Sequence, residues 1–264
     1  MNNIASFIRG KVAGGRGTFP HALPAPPAHP PCGRAERAID FPDDQNGVRA
    51  MNQAFLAAID SDDVSTLQHL LAEQPDLAQT PDQDGVSPLL RAQYRRRAGA
   101  VAVLRAHLQD LTLHEAAALG DVMTIRALLD DGADIDEPAA DGFTALHLSA
   151  FFGHDAAVEL LLARGAGIEI DSAEPMRLRP LHAAAAGGVL RCVELLLARG
   201  AAADVRQQGD YTPLHSAAAA GNVEMVRVLL VHGAARDARA SDGRTPSELA
   251  RQRGHFAVVD LLGP

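Results

Sequence analysis

The amino-acid sequence predicts an all-α solenoid of about seven stacked helix-turn-helix units, joined by extended turns. Two observations predict this fold class. A Leu-His segment recurs with its histidines at 114, 147, 182 and 215, at intervals of 33, 35 and 33 residues. Each copy is followed by a glycine six residues after the histidine, and later by an apolar run that ends in Gly-Ala. A fixed period of this length is typical of proteins whose units stack on their neighbours.

The unit that begins at Thr212 shows how the residues of one period specify its structure. Thr212 is an N-cap residue, and we expect its hydroxyl to accept a free amide of the first turn. Pro213 suits the first helical position, because its missing N–H would be unpaired there in any case. Gly221 supplies the left-handed conformation that ends the first helix. A second amphipathic helix then runs to Gly233, and Asp242 lies at the tip of the following loop.

Seven such units follow one another along the chain. They begin near Met51, Gly85, Leu111, Thr144, Arg179, Thr212 and Thr245. The first unit carries an acidic run, residues 60–63, where its helices turn, and we expect it to be an N-terminal cap. The second has Leu90 where histidine belongs and Arg96 where glycine belongs. The last has Ser247 and Glu248 in place of Leu-His, which predicts a solvent-facing cap.

The spacing also predicts two irregular loops. Only 10 residues separate Leu104 from His114, against 21 between Leu161 and His182. The loop between the second and third units must therefore be absent or very short. The loop after the fourth unit, residues 167–179, is two residues longer than the others.

Two of the units resemble the ankyrin repeat, whose consensus runs Gly-x-Thr-Pro-Leu-His-x-Ala-Ala and later Leu-Leu-x-x-Gly-Ala. The matching residues are Thr212–Ala218 with Val228–Ala234, and Thr144–Ala150 with Leu160–Ala166. The resemblance covers residues 51–264. It implies a curved slab with short projecting hairpin loops, which binds a protein partner through its concave face and its loop tips. It also implies a structural role for the four recurring histidines, as links between neighbouring backbone and threonine hydroxyls.

Charge and composition argue against several classes of partner. The net charge is −9, divided into +2 on residues 1–50 and −11 on the rest. An acidic repeat domain repels phosphates, so we expect no nucleic-acid partner. No apolar run reaches the ~18 residues that cross a bilayer, so we expect no membrane partner. Cys32 and Cys192, without metal or disulfide spacing, favour a reducing, cytoplasmic location. A single lysine beside 23 arginines is typical of a GC-rich, for example bacterial, genome.

The sequence predicts no enzyme, cofactor or metal site. The recurring histidines would stack ~10 Å apart, which is too far to share one zinc ion at ~2 Å. Phosphate loops, nucleophile elbows and paired cysteines are missing from the sequence. The acidic stretch at 130–141 lacks the glutamate that a calcium loop needs at its twelfth position. We expect three further histidines to be solvated at the surface: His154, His232 and His255.

Residues 1–50 are predicted to be a disordered tail, and the repeat domain to span 51–264. Seven prolines between residues 20 and 42 leave no helical or strand period. Two alternatives are open for this tail. Its first dozen residues weakly resemble a mitochondrial presequence. Alternatively, Met51 is the native start of the chain.

A candidate docking site follows from the residues just before the turn of each first helix, which we expect to face the concave side. Large side chains collect there in the second to fourth units: Tyr94, Arg95, Leu119, Phe151 and Phe152. Exposed aromatic residues beside an arginine are typical of interaction hot spots. We therefore predict that these residues of a monomeric chain bind a protein partner. The alternative is that the irregular second unit folds over the patch and buries Phe151 or Phe152.

The charged loops are a second, weaker candidate site. They are acidic at 134–141 and 169–174, and basic at Arg206, Arg236 and Arg239. This charge gradient would orient a partner of opposite polarity. The function that these expectations favour is a scaffold or adaptor for a partner protein. The alternative is a regulatory or inhibitory subunit that modulates an enzyme or a stress response.

Overall fold

The structure, a computed structural model, describes residues 44–173 and 175–263. Fourteen α-helices lie within these residues, in seven consecutive pairs, and none of these residues is in a β-strand. The pairs are α1 (Asp44–Ser61) with α2 (Val64–Glu73), α3 (Pro88–Tyr94) with α4 (Ala98–His107), α5 (Leu113–Leu119) with α6 (Val122–Asp130), α7 (Ala145–Phe152) with α8 (Asp155–Ala163), α9 (Pro180–Gly187) with α10 (Leu190–Ala198), α11 (Pro213–Ala220) with α12 (Val223–Val231), and α13 (Pro246–Gln252) with α14 (Phe256–Leu262). The prediction of an all-α solenoid of seven units is confirmed.

The first helix begins at Asp44 rather than near Met51. The helical part of the chain therefore extends into the segment for which the sequence predicted a disordered tail. The rest of that segment, including the stretch that resembles a presequence, lies outside the described residues. Two short 3-10 helices, Pro75–Gln79 and Gln208–Asp210, lie in loops between units.

First helices pack against first helices of the neighbouring units, from α1 to α13. Small residues make this close packing possible. Ala145, Ala184 and Ala217 are fully buried in it. At Gly187 the backbone of α9 lies so close to α7 that an added Cβ would be 2.2 Å from the carbonyl oxygen of Phe151. The apolar core is thus one continuous layer of alanine and leucine side chains that runs through all the described units.

The ends of the first helices follow the predicted glycine pattern. In the third to sixth units they end at glycines whose φ angles lie between 70° and 85°: Gly120, Gly153, Gly188 and Gly221. This is the left-handed region, which glycine enters without a steric penalty. In the second unit Arg96 stands near this turn and has a φ of 56°.

The starts of the first helices are capped in two different ways. In the third and last units, the hydroxyls of Thr112 and Thr245 accept the N–H of the glutamate three residues on, and that glutamate accepts the threonine N–H in return. At Thr212, which is the N-cap residue of α11 as predicted, the ring of His215 takes the place of the glutamate. The threonine N–H donates to Nδ1 of His215 at 3.1 Å, and the hydroxyl lies 2.9 Å from the same nitrogen.

The acidic run of the first unit is used to attach that unit to the second. Asp60 binds the guanidinium of Arg91, with 2.6 Å between Oδ2 and the nearer nitrogen. Asp62 accepts the N–H of Ala100 at 2.7 Å, so a carboxylate of the first unit caps α4 of the second. Asp63 caps its own helix, α2, by accepting the N–H of Thr66. These contacts give the acidic run of the first unit a structural role.

The loops between units are narrow hairpins with five-residue tips. In each tip the N–H of the first residue donates to the carbonyl of the fifth, at 82–86, 139–143, 207–211 and 240–244. The tip after the fourth unit is longer, since its bond joins Ser172 to Leu178. Between α4 and α5 only residues 108–112 remain, so the hairpin there is missing. Both predictions of irregular loops are confirmed.

The missing hairpin brings its two neighbours into direct contact. An added Cβ at Gly85, in the tip before the second unit, would lie 2.8 Å from the Cβ of Ala140, in the tip before the fourth. On the side of the loops, the hairpins before the second and fourth units therefore contact each other directly, with no hairpin of the third unit between them. This direct contact sets the geometry of the candidate site.

Candidate functional site

The structure brings the predicted aromatic residues together at the ends of α3 and α7. The ring of Tyr94 stacks on that of Phe152 with 5.8 Å between centroids and 26° between planes. Phe151 meets Phe152 edge-on, with centroids 5.1 Å apart. Tyr94 belongs to the second unit and the phenylalanines to the fourth, so these rings bridge the third unit, whose first helix ends at Leu119.

The expectation that this patch is exposed is wrong for two of its members. Tyr94 is only 5% exposed and Phe151 only 8%. Phe152, Leu119 and Arg95 are half-buried, so part of each remains on the surface. The alternative expected Phe151 or Phe152 to be buried, and Phe151 is; the second unit contacts the patch through Tyr94, which stacks on Phe152. Phe152 and Leu119 are therefore partly accessible, whereas the buried rings of Tyr94 and Phe151 pack against Phe152.

The buried phenol of Tyr94 has a hydrogen-bond partner, because it points at a carboxylate of another unit. Its hydroxyl donates to Oδ2 of Asp141 at 2.5 Å. Asp141 is buried as well, and its second oxygen accepts the N–H of Phe143 at 3.2 Å. Burial, and then the charge of Asp141, raise the pKa of Tyr94 well above its usual value. The phenol therefore stays protonated and holds the hairpin tip at 139–143 against α3.

Arginines follow Tyr94 at the edge of the patch. Arg95 has its Nε 3.5 Å from Oδ1 of Asp60, which is an ion-pair distance but not a hydrogen bond. Arg96 is exposed and Arg97 is half-buried. Earlier on α3, Arg91 is buried between the carboxylates of Asp60 and Asp82. The sequence prediction selected Arg95 and did not include Arg96 or Arg97.

The recurring histidines link each unit to a hairpin and do not converge on a common point. Their Nε2 atoms donate to backbone carbonyls, which can only accept: His114 to Glu137, His147 to Leu178, His182 to Val205 and His215 to Arg244, at 2.8 to 3.2 Å. Nδ1 of His147 accepts the N–H of Thr144 at 3.3 Å. Burial lowers the pKa values of His147 and His182 to about 4 and also lowers that of His215. The lowered pKa values favour the uncharged rings of His147, His182 and His215. All four recurring histidines are structural links between units, as the resemblance implied.

The expectation that His154 is solvated is wrong. The ring is half-buried, and its Nε2 donates to the carbonyl of Ala118 at 2.9 Å, at the end of α5. It also packs on Gly120, where an added Cβ would be 2.5 Å from Nδ1. His255 packs on Gly221 in the same way. Both histidines directly follow the turn glycine of their units, a shared repeat position that could have indicated this role.

Many charged side chains of the loops form hydrogen bonds between neighbouring units. Carboxylates of one hairpin accept backbone N–H groups of the next unit: Asp136 from Gly167, Glu169 from Ala202 and Asp204 from Ala235, at 2.6 to 2.9 Å. Arg206 donates to the carbonyl of Arg239, and Arg236 to that of Leu261. These groups hold the row of units together, so the loops offer a partner less free charge than the sequence indicates.

Two further observations concern metal ions and membrane-spanning helices. In the part of the chain that the structure describes, no group of three or more His, Cys, Asp or Glu side chains is placed to hold a metal ion. Within residues 44–173 and 175–263, no helix combines the length and the apolar composition that a bilayer crossing requires.

Comparison with known sequences agrees with the row of stacked helix pairs. Residues 181–263 match the family described as ankyrin repeats (3 copies), and residues 113–162 match the family described as ankyrin repeats (many copies). The chain is also similar to the transient receptor potential cation channel subfamily A member 1 of Homo sapiens, with 35% identity over 103 residues. That similarity covers 34% of this chain and 9% of the channel protein, so the chain matches only a small part of this relative. The two family matches together span half of the sequence, and the chain belongs to the ankyrin repeat family.

Proposed function

We propose that this chain is a scaffold or adaptor that binds a partner protein on its concave face, with the loop tips beside it. Ankyrin repeats generally mediate protein–protein interaction. In this chain the contact residues are Phe152, Leu119 and Arg95, and Tyr94 and Phe151 hold Phe152 in place.

The observation that carries the proposal is the fixed, partly exposed ring of Phe152. One neighbour, Tyr94, stacks on it at 5.8 Å, and another, Phe151, meets it edge-on at 5.1 Å. Both neighbours are buried, so the ring is held before any partner arrives. An aromatic anchor that is already ordered loses little conformational freedom on binding, which is how interface hot spots gain affinity.

The test is affinity capture from a lysate of the source organism with the Phe152→Glu variant. Phe256→Glu is the matched control, because Phe256 is 65% exposed and lies on α14 in the last unit. We expect the wild type and the control to capture the same protein and Phe152→Glu to lose it. Circular dichroism should show equal helix content in all three.

Capture of the same protein at the same level by Phe152→Glu would contradict the proposal. Phe151→Glu is not a suitable probe. Its side chain is buried, and a charge there would destabilise the fold whether or not the patch binds a partner.

A further inference from the structure

We infer that Arg95, Arg96 and Arg97, here called the arginine corner, recognise a carboxylate-rich segment of the partner protein. This inference rests on the proposed function and adds the chemistry of the partner to it. The arginine corner directly follows Tyr94, whose ring stacks on Phe152. A bound segment would place acidic side chains on the guanidinium groups and an apolar side chain on Leu119 and Phe152.

The carboxylates near the arginine corner are already engaged. Asp60 and Asp82 bind the buried Arg91 at 2.6 and 3.0 Å, and Asp60 reaches Arg95 only at 3.5 Å. Asp62 accepts the backbone N–H groups at the start of α4. Little negative charge is therefore left for the arginines that follow Arg95.

Arg96 and Arg97 carry that unbalanced charge. Among the described residues, neither has an ion pair or a hydrogen bond from its side chain. Nε of Arg97 is withdrawn from solvent without an acceptor, and so is Nε of Arg95. Buried donors of this kind normally have partners. The exposed side chain of Arg96 is open to an incoming carboxylate, whose two oxygens match the fork of a guanidinium.

The backbone at Arg96 is a second, independent indication. Its φ of 56° is left-handed, and all five later units have a left-handed glycine at this turn: Gly120, Gly153, Gly188, Gly221 and Gly254. Glycine adopts this conformation freely, whereas a residue with a Cβ is strained in it. A strained residue that keeps a long, charged and exposed side chain points to a use for that side chain.

The charge of the rest of the domain sets the orientation of such a partner. Residues 51–264 carry a net charge of −11. An acidic segment is repelled by most of this surface and attracted at the arginine corner. Charge contrast of this kind contributes more to specificity and orientation than to affinity.

The experiment measures the binding of a short fluorescein-labelled synthetic peptide in which Glu and Leu alternate, by fluorescence anisotropy. A second peptide has Gln in place of each Glu. The proteins are the full chain, Arg96→Gly, Arg97→Gln, the double variant and the control Arg126→Gln. Arg126 is an exposed arginine on α6 that has no ion pair among the described residues.

We expect the full chain to bind the Glu peptide about tenfold more tightly than the Gln peptide, and the double variant to lose about tenfold in affinity. The control should match the wild type. Arg96→Gly alone should weaken binding yet raise the Tm by about 2–4 °C, because it relieves the left-handed strain. A purely structural arginine would show the gain in Tm without the loss of binding.

Equal affinities for the two peptides, or for the wild type and the double variant, would overturn the inference. So would undetectable binding of the Glu peptide, or tighter binding of a DNA duplex than of that peptide. These failures are distinct from failure of the proposed function. If the Glu peptide does not bind but Phe152→Glu still loses the captured protein, the interaction role stands and only the acidic chemistry is rejected.

Discussion

Tyr94 and Asp141, 47 residues apart in the chain, are joined by a buried hydrogen bond of 2.5 Å that connects the second unit to the hairpin before the fourth. Most contacts in a repeat protein link neighbouring units only. This bond and the stacking of Tyr94 on Phe152 pass over the third unit instead. The bridge is possible because the hairpin between the second and third units is missing.

Replacement of Tyr94 by Phe should lower the free energy of unfolding by about 1.5–3 kcal/mol, because a buried carboxylate loses a hydrogen-bond donor. Urea unfolding measures the change. Tyr211→Phe is the control, since its phenol bonds Asp242 at the protein surface, and surface contacts of this kind contribute at most about 1 kcal/mol. Equal losses of unfolding free energy in the two variants would show that the buried Tyr94–Asp141 bond stabilises the fold no more than a surface bond does.

Stability should fall on mild acidification because of the buried histidines. The pKa values of His147 and His182 are lowered to about 4 in the fold, whereas an unfolded histidine titrates near 6.5. Between these values the unfolded chain binds more protons. The stabilisation is therefore complete above pH 6.5, declines as the pH falls, and is lost below about 4. Each histidine should account for about 2 kcal/mol between pH 6.5 and 5.

Urea unfolding at a series of pH values checks this slope. His182→Gln should be less stable than the wild type at neutral pH but should lose less stability on acidification. His69→Gln is the control, because His69 is exposed on α2. A His182→Gln variant with the wild-type slope would contradict the assignment.

Gly187→Ala should destabilise the protein by about 3 kcal/mol, the upper range for an overpacked core. The added methyl would lie 2.2 Å from the carbonyl oxygen of Phe151, so α9 must move away from α7. Gly188→Ala is the matched control. Its φ is 77° and an added Cβ there meets nothing within 4 Å, so only the backbone strain of about 1–2 kcal/mol applies. Thermal unfolding should rank the two in this order, and the reverse ranking would show that the helices can separate freely.

Cys192 should resist alkylation while the protein is folded. The residue is fully buried on α10, and burial raises the pKa of its thiol to about 12, whereas alkylation requires a solvent-accessible thiolate. A Cys32→Ser variant leaves Cys192 as the sole thiol, since the chain has two cysteines. Labelling with iodoacetamide at mildly alkaline pH should then follow unfolding in urea. Rapid labelling without urea would indicate that α10 opens readily.

The regular parts of the fold could be predicted because their signals are local. Spacing alone located seven units, the missing hairpin before Leu113 and the longer loop before Arg179. The turn glycines, such as Gly221, have the predicted left-handed backbone. In each case a short stretch of sequence determines the conformation, so no knowledge of distant contacts was needed.

The candidate site could be predicted only in part, because its burial depends on contacts between units. The sequence placed Tyr94 and Phe152 on one patch, but the contact of Tyr94 with Asp141 follows from a bypassed unit. Similarly, the contact of His154 with Ala118 joins residues 36 apart. Exposure at such positions depends on contacts between residues that are far apart in the sequence, and residue spacing does not report those contacts.

The five-residue link between His107 and Leu113 leaves the surface of the loop tips with one repeat fewer than the surface of the first helices would require. A protein bound along the first helices would contact seven consecutive units. Along the loop tips it would contact one hairpin fewer than an unbroken array would present. Any ligand that touches both must therefore carry an offset of one row at this point. A protein surface spaced for an uninterrupted array would lack that offset, so it could not match the first helices and the loop tips of this chain at the same time.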